Sequence, residues 1–130
     1  MTTHGILIAD DDLAARKKMA DQLIRDGYEV TVTNSVAGVI YGTLKKTAEV
    51  VLLSTRFDEL MATDLIPILK QCNRHLKIIL VASELPLSLI RKARNEGIFY
   101  HALKTGQPED EEELREAVRC ALEQGQQKQK

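Results

Sequence analysis

Short apolar runs alternate with amphipathic segments five times along the chain. Residues 6–9 and 50–53 are apolar throughout, which predicts strands that are buried on both faces. Residues 29–33, with the sequence EVTVT, alternate with a period of two and predict a strand nearer an edge. Further strands are predicted within residues 77–82 and over 98–103. Five such units predict an α/β fold in which helices cover both faces of a parallel sheet.

Capping residues and glycines predict where the helices begin and end. Asp12 and Ser35 are suited to be the N-caps of the first two helices, because a short side chain with an oxygen can accept a hydrogen bond from the first turn. Gly27 and Gly97 are predicted to end the first and fourth helices. Pro86 is predicted to open the fourth helix.

Two of the predicted helices contain residues that weaken helices. Gly38 and Gly42 lie inside the second helix at a cost of ~1 kcal/mol each relative to alanine, so this helix is predicted to be the least stable unless its packing compensates. Residues 55–63 are predicted to form a loop, and the third helix is predicted over 64–72. Pro67 is expected in the first turn of that helix, where an N–H would be unpaired anyway.

The composition is typical of a globular protein. The chain has 130 residues, 44% hydrophobic and 28% charged, and predicts one domain over 1–124 with a polar, disordered tail over 125–130. A formal net charge of −1 gives no overall attraction for nucleic acid or an anionic membrane. No apolar stretch is long enough to span a membrane, and no signal peptide is predicted. Cys72 and Cys120 lack metal-binding spacing, which predicts reduced thiols in a cytoplasmic protein.

Polar residues follow the predicted strands at their carboxyl ends. Asp10 and Asp11 follow the first strand, Ser54 the third, Ser83 the fourth and Lys104 the fifth. In parallel sheets of this kind, polar sites form beyond the carboxyl ends of the strands. Two acids, a hydroxyl and a lysine make up most of a phosphoryl-transfer site, but a serine stands where an aspartate is expected.

From residue 5 to about residue 124, the sequence resembles a response-regulator receiver domain of the CheY-like family. The matching segments, in the order of the family, are 6–12 (ILIADDD), 27–30 (GYEV), 50–54 (VVLLS), 79–83 (ILVAS) and Lys104. The resemblance implies a flavodoxin-like, doubly wound (βα)5 fold with strand order 2-1-3-4-5. It also implies a role in two-component signal transduction and phosphorelay.

The chemical positions of that family are kept only in part. Asp10, Asp11 and Lys104 match the acidic pair and the lysine of the family. Four positions depart from it: Ser54 at the phosphoacceptor, Ala82 at the hydroxyl of the fourth strand, His101 at the aromatic switch position and Thr105 at the proline after the lysine. These departures follow one route, from phosphorylation to switching, and predict a pseudo-receiver that acts by protein–protein contact.

The predicted loss of phosphorylation follows from the chemistry of the acceptor. Receivers take a phosphoryl group from phosphohistidine onto a carboxylate and form a labile acyl phosphate, whereas Ser54 would form an inert ester. We therefore expect no catalytic residue, no enzyme activity and no required cofactor. Asp10 and Asp11 are weak Mg²⁺ candidates, because Ser54 removes one of three carboxylates. Lys104 is instead expected to neutralise the acidic pair.

Two other functions remain open. One is a phosphorylatable receiver that uses Mg²⁺ and has a relocated acceptor at Asp58, Asp10 or Asp11. The other is a binder of a small molecule at the crevice beyond the strand ends. Neither GxGxxG nor GxxxxGK[ST] is present in the sequence, which argues against a nucleotide as that molecule.

The expected partner is a protein: a histidine kinase, an output domain or another signalling protein. Direct binding of nucleic acid or of a membrane is not expected. The resemblance implies a contact surface on the fourth helix, the fifth strand and the fifth helix, which the family also uses for homodimers. Its exposed candidates are Arg91, Arg94, His101 and Arg119. His101 is either a pH-sensitive contact that titrates near neutrality or a half-exposed surface residue without a role.

Overall fold

The computed structural model describes residues 4–54, 56–57, 60–82, 86–103 and 107–127. The strands are β1 (Gly5–Ala9), β2 (Glu29–Thr33), β3 (Val50–Ser54), β4 (Arg56–Phe57), β5 (Leu60–Met61), β6 (Lys77–Ala82) and β7 (Tyr100–Leu103). The helices are α1 (Leu13–Arg25), α2 (Val36–Leu44), α3 (Ala62–Cys72), α4 (Leu87–Glu96) and α5 (Pro108–Gln127). Within these ranges, no helix is both long enough and apolar enough to cross a membrane.

Five parallel strands form the main sheet, in the order β2-β1-β3-β6-β7. Numbered within this sheet alone, the order is 2-1-3-4-5, which confirms the predicted flavodoxin-like fold. The order reverses between β1 and β3, so the carboxyl ends of these two strands open onto the crevice where such folds place their sites.

Each face of the sheet has its own hydrophobic core. Val51 and Leu53 of β3 belong to the core under α2, α3 and α4. Val50 and Leu52 belong to the core under α1 and α5. All four side chains are at most 1% exposed, because side chains alternate along a strand and helices cover both faces. The prediction of a fully buried third strand is confirmed.

The predicted caps are confirmed. Asp12 Oδ1 accepts a hydrogen bond of 3.2 Å from the N–H of Ala15, and Ser35 Oγ accepts one of 3.1 Å from the N–H of Gly38. Gly27 and Gly97, just past the ends of α1 and α4, have φ angles of 94° and 103°. Side chains with a Cβ rarely adopt this left-handed region, which is why glycine ends both helices.

The glycines of α2 allow close packing against the sheet. A Cβ atom at position 38 would lie 2.2 Å from Thr33 Oγ1, and one at position 42 would lie 3.2 Å from Leu7 Cδ2. A larger residue at either position would meet neighbouring side chains, which explains the use of glycine despite its low helix propensity. The lower stability of this helix remains a prediction. The helix ends at Leu44, before the predicted end near Lys46, since Lys46 has a φ of 58° and cannot continue a right-handed helix.

The prediction of a loop over residues 55–63 is wrong. In this segment β4 and β5 form a small antiparallel pair, in which Phe57 is opposite Leu60. The third helix begins at Ala62, before the predicted start, so Pro67 lies beyond its first turn. A proline inside a helix costs ~3 kcal/mol. Burial of the apolar side of α3 outweighs this local penalty, because Leu65, Ile66 and Leu69 are at most 1% exposed.

The last two elements also differ from their predicted bounds. The fifth strand of the sheet begins at Tyr100, although the apolar run begins at residue 98. The last helix continues to Gln127, so residues 125–127 of the predicted tail are helical. The polar sequence there showed no apolar periodicity, so pattern alone gave no reason to extend the helix.

Candidate functional site

The parallel register brings three of the predicted site residues to neighbouring strand ends. Ala9 is paired with Leu53, so Asp10 and Ser54, the next residues of each strand, lie level with each other. Ser54 is paired with Val81, and Ala82 is the next residue of β6. Asp10, Ser54 and Ala82 therefore line one edge of the sheet, where β1, β3 and β6 end.

Asp10 is held in place by backbone hydrogen bonds. It is 2% exposed, and its Oδ1 accepts a hydrogen bond of 2.9 Å from the N–H of Asp12. Its own N–H donates to the carbonyl of Thr33 at 3.3 Å, and its carbonyl accepts from Arg16 Nη1 at 2.9 Å. Asp11, in contrast, is exposed at the rim. Asp10 is thus a fixed, buried carboxylate with a polar environment, as burial of a charged group requires.

The contact of Arg16 is one that the sequence did not reveal. Arg16 lies in the first turns of α1 and reaches back to the chain where β1 ends. Its Nη1 and the N–H of Asp12 approach Asp10 from the helix, while Thr33 joins it to the neighbouring strand. The backbone around the acidic pair is therefore fixed by both α1 and β2. The sequence carries no specific signal for this, since an arginine in a first turn is ordinarily solvated.

Among the described residues at the strand ends, neither Ser54 nor Ala82 has a charged side chain. Ser54 is the last residue of the buried strand β3 and is 9% exposed. Its side chain is shorter than that of an aspartate and carries no charge. Ala82 is 4% exposed and ends β6, where it is paired with Leu103. A methyl group can neither donate nor accept a hydrogen bond, so this position offers nothing to an anion in the crevice.

Several predicted residues lie outside the part of the chain that the structure describes. They are Asp58, Ser83, Lys104 and Thr105. The expected ion pair between Lys104 and the acidic residues Asp10 and Asp11 therefore remains a prediction. The same holds for a relocated acceptor at Asp58.

The donors at this edge fit Mg²⁺ poorly. Octahedral Mg²⁺ takes oxygen ligands, usually carboxylates together with waters and phosphate oxygens. Asp10 and Asp11 supply two carboxylates, and Ser54 supplies a neutral hydroxyl where the family has a third. Among the described residues, no group of three or more histidine, cysteine, aspartate or glutamate side chains is placed to hold a metal ion.

His101 lies in β7, at the edge of the sheet between α4 and α5. It is paired with Leu80, whose side chain belongs to the core under α4, so His101 is on the α4 side. Its Nε2 atom is buried and has no hydrogen-bond partner among the residues described. Burial lowers the pKa of His101 below its usual 6.5, the positive charge of Arg94 lowers it further, and Glu113 acts in the opposite direction.

These observations change the interpretation of His101. The sequence predicted either a contact that titrates near neutrality or a surface residue without a role. The structure instead shows a ring with one buried, unpaired nitrogen, in a position that favours the neutral form. Arg94, Ile98, Phe99, Tyr100 and His101 line a cleft of about 320 Å³ at this place. No sequence pattern could reveal the missing partner, because it depends on how α4 and α5 pack against β7.

Charges of opposite sign flank β7. Arg91 and Arg94 are exposed on α4, and neither forms a salt bridge with another described residue. Glu109 and Glu113 are exposed on α5 and are likewise without a salt bridge to the described part of the chain. The surface around His101 is thus basic on one side and acidic on the other.

Arg119, another predicted contact residue, is engaged within its own helix. Its guanidinium donates to Glu116 and, at 2.6 Å, to Glu123 Oε1. A contact of Arg119 with a partner remains a prediction, because exposed pairs within a helix contribute only about 0.3–0.5 kcal/mol and can be exchanged for pairs with a partner. Arg115 joins the two helices of the opposite face, donating to both carboxylate oxygens of Asp26 at 2.9 and 2.7 Å.

Comparison with known proteins identifies relatives over most of the chain. The family described as "Response regulator receiver domain" matches residues 6–125. The chain is 30% identical over 122 residues to a DNA-binding transcriptional regulator NtrC of Azospirillum brasilense, a match that covers 94% of this chain and 25% of that protein. It is 27% identical over 99 residues to an NtrC of Rhizobium meliloti, covering 76% of this chain and 20% of that protein. The chain thus spans a quarter or less of the length of these two curated relatives.

Solved structures show the same fold at low sequence identity. A CheY-like receiver domain protein from Methanospirillum hungatei has a TM-score of 0.88 at 21% identity, covering 98% of this chain and 99% of that one. The signal receiver domain of an HD domain-containing protein from Pseudomonas fluorescens has a TM-score of 0.89, also at 21% identity, covering 99% and 93%. These similarities establish the fold. They do not show which chemical reactions the residues of this chain support.

Proposed function

This chain belongs to the response regulator receiver domain family of two-component signalling, and we propose that it acts by protein–protein contact without aspartyl phosphorylation. The observation that carries the proposal is the position of Ser54. It ends β3 level with Asp10, in the buried crevice where the family places its acceptor carboxylate. Receivers of this kind are signalling modules, so the loss of the acceptor changes the mode of action and leaves the family unchanged.

The chemistry of the crevice supports this proposal. Phosphoryl transfer to a carboxylate forms a mixed anhydride that hydrolyses readily, which makes the signal reversible. The same transfer to Ser54 would need a base to take up the proton of the hydroxyl, and its product would be a stable ester. Ala82, at the end of the neighbouring strand, offers no hydrogen bond to a phosphoryl group. Both the residue that would accept the phosphoryl group, Ser54, and the residue that would hydrogen-bond to it, Ala82, therefore differ from the family.

The proposal also covers cofactors and location. We propose that Mg²⁺ binds weakly if at all, because two carboxylates and a hydroxyl replace the three carboxylates of the family. We also propose that the chain requires no cofactor and is not an enzyme. Cys72 and Cys120 form no disulfide, which is consistent with the cytoplasmic location predicted for the chain.

We propose that the contact surface consists of α4, β7 and α5. Arg91 and Arg94 on α4 and Glu109 and Glu113 on α5 have opposite charges and no salt bridges of their own within the described ranges. In a two-fold dimer the same patch is used by both copies, so the basic side of one can meet the acidic side of the other. A kinase or an output domain with similar charges would use the same surface. No direct contact with nucleic acid is proposed, whatever the named relatives bind.

The test is treatment of the purified protein with acetyl phosphate and Mg²⁺, followed by intact-mass measurement. The proposal predicts no mass increase that is labile to mild base. If a labile phosphoryl group appeared and mapped to Asp10, Asp11 or Asp58, the second function would hold, namely a receiver with a relocated acceptor. A stable adduct on Ser54 would show a phosphoserine and would also contradict the proposal.

A further inference from the structure

The buried nitrogen of His101 lies within the proposed contact surface and has no partner. Its Nε2 atom is shielded from solvent and accepts or donates no hydrogen bond within the described parts of the chain. Buried polar atoms in folded proteins are nearly always paired, so an unpaired one needs an explanation, and a partner that is gained when the ring moves is one explanation. The neighbouring cleft, about 320 Å³ in volume, gives the ring space to move into.

The groups that face His101 act in opposite directions on a positive charge at its ring. From α4, Arg94 opposes a positive charge on the ring, and from α5, Glu113 favours one. On β7, Tyr100 lines the same cleft, and burial together with the negative charge of Glu113 raises the pKa of its hydroxyl. From β6, the paired residue Leu80 is apolar and does not titrate. The buried position therefore suits the neutral imidazole, and a charged ring is better placed toward solvent and a carboxylate.

We propose that protonation of His101 turns its ring from the buried position toward the solvent-facing mouth of the cleft at β7, where it binds a carboxylate of a second copy of the chain. The carboxylate is supplied by the acidic beginning of α5 in that copy, which includes Glu109 and Glu113. The inference rests on the proposed contact surface of α4, β7 and α5, and adds that the strength of this contact depends on pH. The contact becomes tighter as the pH falls.

Charge complementarity selects this occupant. The second copy presents exposed carboxylates at Glu109, Glu112, Glu113 and Glu116, of which Glu112 and Glu116 already pair with Arg115 and Arg119 of their own helix. Glu109 and Glu113 remain, and their spacing of one helical turn places them on one face of α5. On the first copy, Arg91, Arg94 and a protonated His101 would form the matching basic patch. In a two-fold dimer, each copy supplies both the basic patch and the acidic start of α5, so the dimer contains two such contacts.

Thermodynamic linkage gives the direction of the effect. A carboxylate beside the imidazolium stabilises the charged form, so the pKa of His101 is higher in the dimer than in the monomer. Any group whose pKa rises on association takes up a proton on association. Acid therefore favours the dimer, and the effect extends over the interval between the two pKa values.

The experiment is sedimentation equilibrium of the whole chain at about pH 8 and about pH 5.5, the range in which histidines titrate. The unmodified protein is compared with His101→Phe and His101→Gln, which remove the titration, and with His75→Gln as the matched control at an exposed histidine. Far-UV circular dichroism at both pH values identifies any variant that fails to fold. Two-dimensional NMR of the imidazole nitrogens follows the protonation of His101 directly.

We expect dimerisation of the unmodified protein and of His75→Gln to tighten about tenfold on acidification, and that of both His101 variants to change by less than about twofold. Equal dimerisation of the unmodified protein at both pH values would overturn the inference and leave the contact surface in place. Absence of a dimer at both pH values would overturn the inference together with the proposed homodimer. If His75→Gln abolished the pH dependence of dimerisation and the His101 variants kept it, the effect would belong to His75, and the inference would be overturned.

Discussion

The carboxylate of Asp10 accepts a hydrogen bond of 2.9 Å from the N–H of Asp12, the residue that caps α1. One buried side chain thus joins the end of β1 to the beginning of the first helix. This bond gives Asp10 a structural role that does not depend on a metal ion or a phosphoryl group.

Asp10→Asn and Asp10→Ala are expected to differ in stability. The amide of Asn keeps an oxygen that can accept from the N–H of Asp12, whereas alanine leaves that donor unpaired. The alanine variant should therefore be less stable than the asparagine variant by about 1 kcal/mol. Urea unfolding measures the difference. Asp11→Asn and Asp11→Ala, at the exposed neighbour, are the control pair and should differ little in stability. Equal stabilities of Asp10→Asn and Asp10→Ala would contradict the structural role of Asp10.

The second prediction concerns the close packing of α2. An added Cβ at Gly38 would lie 2.2 Å from Thr33 Oγ1, so Gly38→Ala should destabilise the protein by about 1 kcal/mol or more, although alanine is the better helix former. In the Thr33→Ala background, the same substitution should cost clearly less, because the 2.2 Å contact is gone, although contacts of 3.1 Å to Ser35 Oγ and to the Cβ at position 33 remain. A double-mutant cycle measured by urea unfolding tests this coupling. Additive effects would show that the clash does not cause the loss.

The strand ends could be predicted from sequence because they depend on local patterns. Continuous apolar runs located the buried strands, and Asp12, Ser35, Gly27 and Gly97 located the helix ends that the structure shows. Since parallel strands end on one edge, the position of Asp10 and Ser54 followed from these patterns alone. The order of the strands came from the resemblance to a family.

The features that sequence did not predict depend on tertiary neighbours. Pro67 inside α3 is tolerated because the apolar side of the helix is buried, and local helix rules favour its placement in a first turn. The short pair β4–β5 has too few residues for a periodic pattern. The unpaired nitrogen of His101 depends on side-chain positions, which no sequence pattern specifies. The pairs of Arg119 with Glu116 and Glu123, in contrast, have the spacing of neighbours on a helix and could have been predicted.

A third prediction follows from the lowered pKa of His101. In the unfolded chain this histidine titrates near its usual pKa of 6.5, and in the folded monomer burial and the charge of Arg94 lower that pKa. As the pH falls below 6.5, the unfolded chain binds the proton first, so stability decreases. Above that pH the contribution is constant.

The measurement is urea unfolding at about pH 8 and about pH 5.5, at concentrations where the protein is monomeric. His101→Phe should lose less stability on acidification than the unmodified protein, because it removes the group that prefers to be protonated when unfolded. His75→Gln, at an exposed histidine, should retain the full loss. An equal loss in His101→Phe and the unmodified protein would place the responsible group elsewhere.

A fourth prediction concerns Mg²⁺. The unmodified protein should show little thermal stabilisation by millimolar Mg²⁺, because Ser54 contributes no charge to the acidic pair. Ser54→Asp adds a third carboxylate at the end of β3 and should bind Mg²⁺ measurably more tightly. Ser54→Asn, of similar size and without charge, is the control. If Mg²⁺ strongly stabilised the unmodified protein and Asp11→Asn abolished this effect, two carboxylates would be enough to bind Mg²⁺, and the prediction would be contradicted.

The central claim is that this receiver does not carry an aspartyl phosphate because its acceptor is a serine. The most direct measurement is intact-mass analysis of the unmodified protein and Ser54→Asp in parallel, after treatment with acetyl phosphate and Mg²⁺. The double variant Ser54→Asp/Ala82→Thr is included, since it also restores the hydroxyl of the neighbouring strand. The account predicts a base-labile phosphoryl adduct on one or both variants and none on the unmodified protein. A base-labile adduct of equal yield on the unmodified protein would contradict it.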